Sequence, residues 1–357
     1  MSAKYASASF DSTDVISTSE TSAIPETALV EGIILDGGRG IYRVETAAGL
    51  LNCTIRGRLR KQLEYPISAS AHKRVKKASV KVHDPVAVGD KVRVLPTGGN
   101  GGVIEEVIAR ANGAFTRLDP QKGQGKIRSV SGIDQMIAVF AAREPSPHLR
   151  MLDRFLVLAE AQNLATLICI NKVDLGLEPW LEERLAVYRA IGYPVALTSV
   201  AAGLGIEELR GTLAGRTSAL LGPSGVGKSS LLNALEPELG LRVSAVSAST
   251  NKGRHTTTGT RMVALQGPGG GYIADTAGIR ELSLGSLADG RLDWCFPEFR
   301  PYLRACHHSD CSHLHEPSCA VRAALAEDQL DTERYDSYCR LLGGSAEALD
   351  EDWGDAE

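Results

Sequence analysis

Hydrophobic positions change their rhythm twice along the chain. Between 28 and 111 apolar residues come in short alternating runs: Glu31-Gly-Ile-Ile-Leu35, Ile41-Tyr-Arg-Val44, Leu51-Asn-Cys-Thr-Ile55, Lys91-Val-Arg-Val-Leu95 and Gly102-Val-Ile-Glu-Glu106. Gly-rich turns separate the runs, which predicts a series of short strands. A small closed barrel removes the exposed edges of so few strands; an OB-fold is the first candidate, and an SH3-like barrel would read alike. From 112 to 287 the rhythm becomes α/β. Gln135-Met-Ile-Ala-Val-Phe140 and Ala165-Thr-Leu-Ile-Cys-Ile170 are continuous apolar runs of the kind buried on both faces. Helical spacing over 149–163, 178–191 and 206–213 alternates with strand patterns at 195–198 and 217–221. That alternation predicts βαβ units and a mostly parallel sheet. From 292 to 342 the chain turns Cys/His-rich and then helical, over 318–326 and 331–341.

These shifts divide the chain into a tail (1–28), a barrel (29–111), an α/β domain (112–290), a Cys/His-rich helical domain (291–343) and an acidic tail (344–357). The two tails read as disordered: the first is rich in Ser, Thr and Ala, the second in Glu and Asp. The N-terminal stretch has neither a basic start nor an apolar core, so it is not a secretory signal. No apolar run reaches membrane-spanning length, and the reading is a cytoplasmic monomer. A net charge of −4 excludes a molecule that is polycationic overall, so any nucleic-acid site is a local patch. One such patch is His72-Lys-Arg-Val-Lys-Lys77 with Lys81, read either as a solvated loop or as an arm that contacts RNA phosphates. No aromatic residue interleaves it, so base stacking there is not supported.

Gly222-Pro223-Ser224-Gly225-Val226-Gly227-Lys228-Ser229-Ser230 follows an apolar strand and opens a helix, the context a phosphate-binding loop requires. Its backbone N–H groups and the helix N-terminus favour phosphate oxygens. Lys228 is placed for the β- and γ-phosphates and Ser229 for Mg²⁺. Asn171-Lys172-Val173-Asp174 ends another apolar strand. Asp174 can accept from the ring N–H and the exocyclic amine of guanine, donors that adenine does not pair in this way, so GTP is favoured over ATP. Thr198-Ser199-Val200-Ala201 follows a third strand and resembles the loop whose backbone reads the guanine carbonyl. Asp275-Thr276-Ala277-Gly278 follows a fourth, with Asp275 expected near Mg²⁺ and the Gly278 N–H on the γ-phosphate. Between them lies Lys252-Gly-Arg-His-Thr-Thr-Thr258, in which Thr257 is the first choice for the Mg²⁺ shell and Thr256 and Thr258 are alternatives. Ile279 stands where Ras-like enzymes carry a water-orienting glutamine, and isoleucine cannot hydrogen-bond water. His255 is the candidate substitute; its other reading is an RNA contact or a loop cap.

Seven cysteines are present, and three of them gather with histidines. Cys306-x4-Cys311-x-His313-x5-Cys319 offers three thiolates and an imidazole within one segment, a closed donor set suited to structural Zn²⁺. His307, His308 and His315 compete for the nitrogen position. Arg322, Arg334 and Arg340 on the helices that follow are candidates for gripping RNA.

The guanine-reading motif precedes the phosphate loop, the inverse of the order in ordinary small GTPases. Together with Gly253-Arg-His-Thr-Thr257, Asp275-Thr-Ala-Gly278, the Cys3His segment, Arg56-Gly57 and Val88-Gly-Asp90, this order makes the chain similar, over 30–342, to the ribosome small-subunit-dependent GTPase A family (RsgA, also called YjeQ). The resemblance implies an OB-fold, a circularly permuted Ras-like P-loop GTPase domain and a C-terminal zinc-binding helical domain. It implies GTP hydrolysis with Mg²⁺, binding to the small (30S) ribosomal subunit and its 16S rRNA near the decoding region late in assembly, and release on hydrolysis. It maps the zinc ligands onto Cys306, Cys311, His313 and Cys319 and a switch histidine onto His255. The basic insert at 73–81 departs from the family's barrel. A second reading is a GTP-gated RNA-binding placeholder in which hydrolysis is incidental; a third is a nucleotide-dependent regulator with no RNA partner. The permuted order also leads the γ-phosphate sensor through 282–292 into the C-terminal domain, an expected route for coupling nucleotide state to that domain's position.

Overall fold

The computed structural model describes residues 29–38, 40–57, 59, 86–108, 113–117, 128–237, 261–267, 269–275 and 291–343. Strands β1 (Val30–Gly38), β2 (Ile41–Thr46), β3 (Gly49–Ile55), β4 (Lys91–Gly98) and β5 (Gly101–Val107) close into a barrel of order β1-β2-β3-β5-β4. β3 and β5 run parallel, while β1 closes the barrel antiparallel to β4. This is the Greek-key order of an OB-fold; a serial SH3-like meander would not set β3 beside β5. Alternation sends Tyr42, Val44, Val92 and Val94 inward, where they meet Ile34, Cys53 and Ile104. The basic run at 72–81 lies outside the described residues.

A hairpin of β6 (Gly113–Arg117) and β7 (Arg128–Ile133), not anticipated from the hydrophobic pattern, precedes the α/β sheet. That sheet is built from β8 (Gln135–Ala141), β9 (Ala165–Asn171), β10 (Val195–Leu197), β11 (Thr217–Leu221), β12 (Arg261–Ala264) and β13 (Tyr272–Asp275), in the order β10-β9-β8-β11-β13-β12. All pairs are parallel except β12 with β13. Every residue of central strand β8 is buried, because helices cover both faces. Helices α1 (Leu149–Glu160) and α2 (Pro179–Ile191) pack one face through Leu152, Phe155, Leu181, Leu185 and Tyr188. Helices α3 (Ile206–Leu213) and α4 (Lys228–Leu235) pack the other through Leu209, Leu213, Leu231 and Leu232.

Helix α1 differs from the amphipathic helix expected over 149–163. It stops at Glu160, and Asn163 turns left-handed at φ 53°. Both of its sides are buried, because the C-terminal module covers the face opposite the sheet. In that module, turns at Asp293–Cys295 and Pro297–Phe299 lead into α5 (Arg300–Leu303), α6 (Ala320–Ala326) and α7 (Thr332–Gly343). Phe296, Phe299 and Tyr338 pack ring on ring at 5.2–5.4 Å, and Val157 of α1 joins the same core.

Polar contacts fix that junction. Arg334 of α7 is fully buried, its guanidinium 2.6 Å from Asp153 of α1 and 2.7 Å from Glu298. It is therefore a structural cation and not an RNA-gripping one; Arg322 and Arg340 are exposed. Arg184 of α2 forks onto Asp331 through two hydrogen bonds of 2.7 Å, and Arg300 reaches Glu160 of α1 at 2.6 Å. Burial disfavours the Asp331 carboxylate, but the Arg184 fork and the Arg334 backbone N–H outweigh it and hold the group below its ordinary value. Its contribution to stability is present above the unfolded carboxylate value of about 4 and is lost as pH falls further. At the other end, Tyr272 of β13 donates to Glu45 of the barrel at 2.8 Å, Ser131 of β7 donates to buried Asp90, and Val88 bridges Val130.

Candidate functional site

The parallel strands end at one edge of the sheet, where loops from different strands converge on a cleft. The loop after β11, from Gly222 to Gly227, wraps the N-terminus of α4. Two of its glycines are required by close approach. A Cβ on Gly222 (φ 154°) would lie 2.0 Å from the Val139 carbonyl oxygen, and one on Gly227 (φ 95°) would lie 2.4 Å from Asn171 Nδ2. Lys228 Nζ donates to the carbonyls of Gly222 at 2.8 Å and Pro223 at 2.6 Å, so its charge sits over the loop's own concavity. Ser224, Gly225 and Ser229 are exposed, whereas Val226 is buried in the core and offers the cleft only backbone.

The loop after β9 is tied to this one. Asn171, 2% exposed, donates from Nδ2 to the Val226 carbonyl at 2.9 Å and accepts from Thr198 Oγ1 at 3.2 Å. Asn171 thus braces the phosphate loop against the loop after β10. Lys172 takes a left-handed conformation (φ 60°) and donates to the Glu144 carbonyl. Asp174 is exposed; Ser199, itself buried, donates to its Oδ1 at 2.5 Å and receives the Ala202 N–H at 3.0 Å. A carboxylate aimed outward between two braced loops can take paired N–H donors from a base edge. Val200 and Ala201 lie in the turn that the Ser199–Leu204 backbone pair closes. Thr198, inside the motif 198–201, supports the cleft through its hydroxyl to Asn171, and Glu144 supports it without a motif of its own, which is why the sequence did not single Glu144 out. Asp275 ends β13 at the same edge of the sheet. His255, Thr256, Thr257, Thr258 and Gly278 lie outside the described residues.

A second site lies in the C-terminal module. The ligand atoms of Cys306, Cys311, His313 and Cys319 all lie within 4.8 Å of one another. Cys306 and Cys319 sulfurs are 4.0 Å apart, and His313 Nδ1 lies 3.6 and 3.4 Å from them. A zinc tetrahedron with ordinary bond lengths has S–S edges of about 3.8 Å and S–N edges of about 3.5 Å, so this donor set fits the ion. Burial, reinforced by the neighbouring thiols, pushes Cys311 up to about 12; a bound divalent cation would offset that cost by holding the thiolates. His307 and His308 are exposed and pack on each other at 4.9 Å, and His315 is exposed, whereas His313 is the histidine that stands with the three sulfurs.

The metal loop is held from two sides. Tyr335 and Tyr338 of α7 donate to the carbonyls of His313 and Ser312 at 2.6 and 2.8 Å. Glu316 accepts from the Ser312 N–H and hydroxyl and from the N–H groups of Leu314 and His315. These bonds, the Ser312 hydroxyl first, hold the Glu316 carboxyl well below its ordinary range. The spacing Ser312-x3-Glu316 was a local signal the sequence reading passed over.

Comparison with known proteins agrees with this architecture. The RsgA GTPase family profile matches residues 109–285. A small ribosomal subunit biogenesis GTPase RsgA of Gemmatimonas aurantiaca is 43% identical over 88% of this chain and 97% of its own length. The protein of that name from Alkaliphilus metalliredigens is 34% identical over the same shares. Among solved structures, YjeQ from Thermotoga maritima superposes with a TM-score of 0.69 at 31% identity, over 90% of this chain and 99% of its own. YloQ, described as a circularly permuted GTPase, gives 0.65 at 29% identity, over 92% and 99%.

Proposed function

The chain belongs to the RsgA GTPase family, and from that membership we propose that it is a GTP hydrolase that acts in the late maturation of the small ribosomal subunit. In this reading it binds the 30S particle through 16S rRNA near the decoding region, hydrolyses GTP faster when bound, and leaves on hydrolysis. It works as a cytoplasmic monomer away from membranes; among the described residues no helix is long and apolar enough to cross one. The observation that carries the proposal is the braced cleft, in which Asn171 joins the phosphate loop to the base loops and Asp174 is left open to solvent.

Within the cleft, the backbone from Gly222 to Ser230 cradles the phosphates and Lys228 turns from its loop carbonyls to the β- and γ-phosphate oxygens. Asn171, Lys172, Val173 and Asp174 hold the base from one side, and Ser199, Val200 and Ala201 close on it from the other. Ser229, Thr257 and Asp275 would hold Mg²⁺, which would supply charge neutralisation at the phosphates, and the Gly278 N–H senses the γ-phosphate. His255 positions the attacking water, a task Ile279 cannot perform. The Cys3His site is structural, since four protein donors leave no open position. The subunit-stimulated hydrolysis assay described below tests the whole reading.

Base selection has its own test. Asp174→Asn is expected to weaken GTP affinity about ten- to a hundredfold, the scale of hydrogen bonds to a charged acceptor. The amide can donate to the extra carbonyl of xanthine, so xanthosine triphosphate should gain on GTP in competition binding. Unchanged preference for GTP would remove Asp174 from base reading.

A further inference from the structure

The His313 imidazole shows two different faces. Nδ1 points at the sulfurs, 3.6 Å from Cys306 and 3.4 Å from Cys319. A ring nitrogen that ligates a cation carries no proton, so the proton of the neutral ring resides on Nε2. That nitrogen is buried, and it hydrogen-bonds to no group among the described residues. A buried N–H without an acceptor is disfavoured, so the ligating tautomer needs support from a neighbour. The Asp293 carboxylate stands there, with Oδ2 3.7 Å from Nε2 and its side chain 18% exposed. Arg291 reaches the same Oδ2 at 3.4 Å, so this oxygen faces both groups.

We propose that Asp293 is the outer partner of the zinc site: it accepts Nε2–H and so holds His313 in the tautomer that ligates through Nδ1. Ligating histidines are generally oriented in this way, and such partners set metal affinity. The inference rests on the reading of the cluster as a zinc site. Asp293 acts through His313 and is a positioning residue. Tyr335, Tyr338 and Glu316 bond the backbone of the loop, and among the described residues Asp293 is the acid that pairs with Nε2. Asp293 opens the turn Asp293–Cys295, so the metal site extends beyond its four ligands to that turn.

The test is zinc affinity of the full chain, measured by competition with a chromophoric chelator. Asp293→Ala should weaken zinc binding about 10- to 100-fold. Asp293→Asn keeps an acceptor oxygen and should recover most of that loss. Metal-free unfolding of all three chains should be alike. Wild-type affinity in the alanine variant overturns the proposal, and so does an asparagine variant as weak as alanine. A metal-free alanine variant that unfolds early enough to account for its loss assigns Asp293 a packing role and overturns it as well. A wild-type chain that binds no zinc fails the zinc reading instead, a distinguishable outcome.

Discussion

Lys228→Ala is expected to lower the rate of GTP hydrolysis about a hundred- to a thousandfold, the range for deletion of one preorganised charge-stabilising donor. The geometry gives the reason. Lys228 Nζ already lies within the turn of the phosphate loop, held at 2.8 and 2.6 Å by the carbonyls of Gly222 and Pro223. Its reorganisation toward phosphate oxygens is a change of partner over a short distance, with the helix N-terminus behind it. Removal takes away the side-chain cation over the loop and leaves the developing charge on the transferred phosphoryl group to Mg²⁺ and the backbone N–H donors. Single-turnover hydrolysis at saturating GTP, with nucleotide binding measured separately, checks this. A variant within about threefold of wild type would remove Lys228 from the chemistry.

Arg334→Met is expected to destabilise the chain by about 3–5 kcal/mol, the cost of breaking a buried ion pair by deleting one partner. The guanidinium is fully buried between Asp153 and Glu298, and its plane also lies 4.6 Å from the Phe296 ring. Burial works against its charge, but the two carboxylates outweigh that and keep it protonated. Methionine fills volume and leaves both acids uncompensated. Asp153 also accepts from Tyr188 at 2.8 Å and from Ser337, so the loss spreads to α2 and α7. Asp153→Asn added to the variant should restore part of the stability, because one stranded charge is gone. Denaturant unfolding of the full chain measures both; a single variant within about 1 kcal/mol of wild type would contradict this account of the junction.

That junction also bears on the proposed route from nucleotide state to the C-terminal module. The motif order suggested that the module hangs from the stretch after the γ-phosphate sensor. The structure anchors it as well to α1 and α2, through Arg334, Arg184 and Arg300. Lengthening the connection alone would leave those ion pairs in place. The helices they grip follow β8 and the loop of 171–174, so the module rides on the half of the domain proposed to hold the base.

The parts of the molecule legible in sequence were those set by local rules. The phosphate loop, the base-reading motif and the Cys3His segment each depend on residues close in the chain, and period-two runs marked the barrel strands. Long-range partners were not legible. Nothing in the spacing of Asp153, Glu298 and Arg334 says that they meet, and an arginine on a C-terminal helix reads as an RNA contact until its burial is seen. The hairpin of β6 and β7 and the edge strand β12 were missed because short strands lack a strong period. The sequence favoured His313 but left His307, His308 and His315 in competition, because ligand spacing tolerates several; three-dimensional packing buries His313 and exposes the others. Barrel type was open for a related reason: strand order is a property of pairing, and the β3–β5 contact decides it.

The most direct test of the central claim is the rate of GTP hydrolysis by the purified full chain with and without small ribosomal subunits. The account predicts slow intrinsic turnover, because Ile279 cannot orient water, and a clear rise on addition of subunits. His255→Ala should abolish that rise while GTP affinity stays at the wild-type level. A rate that small subunits leave unchanged would contradict the account and favour a GTP-gated placeholder in which hydrolysis is incidental.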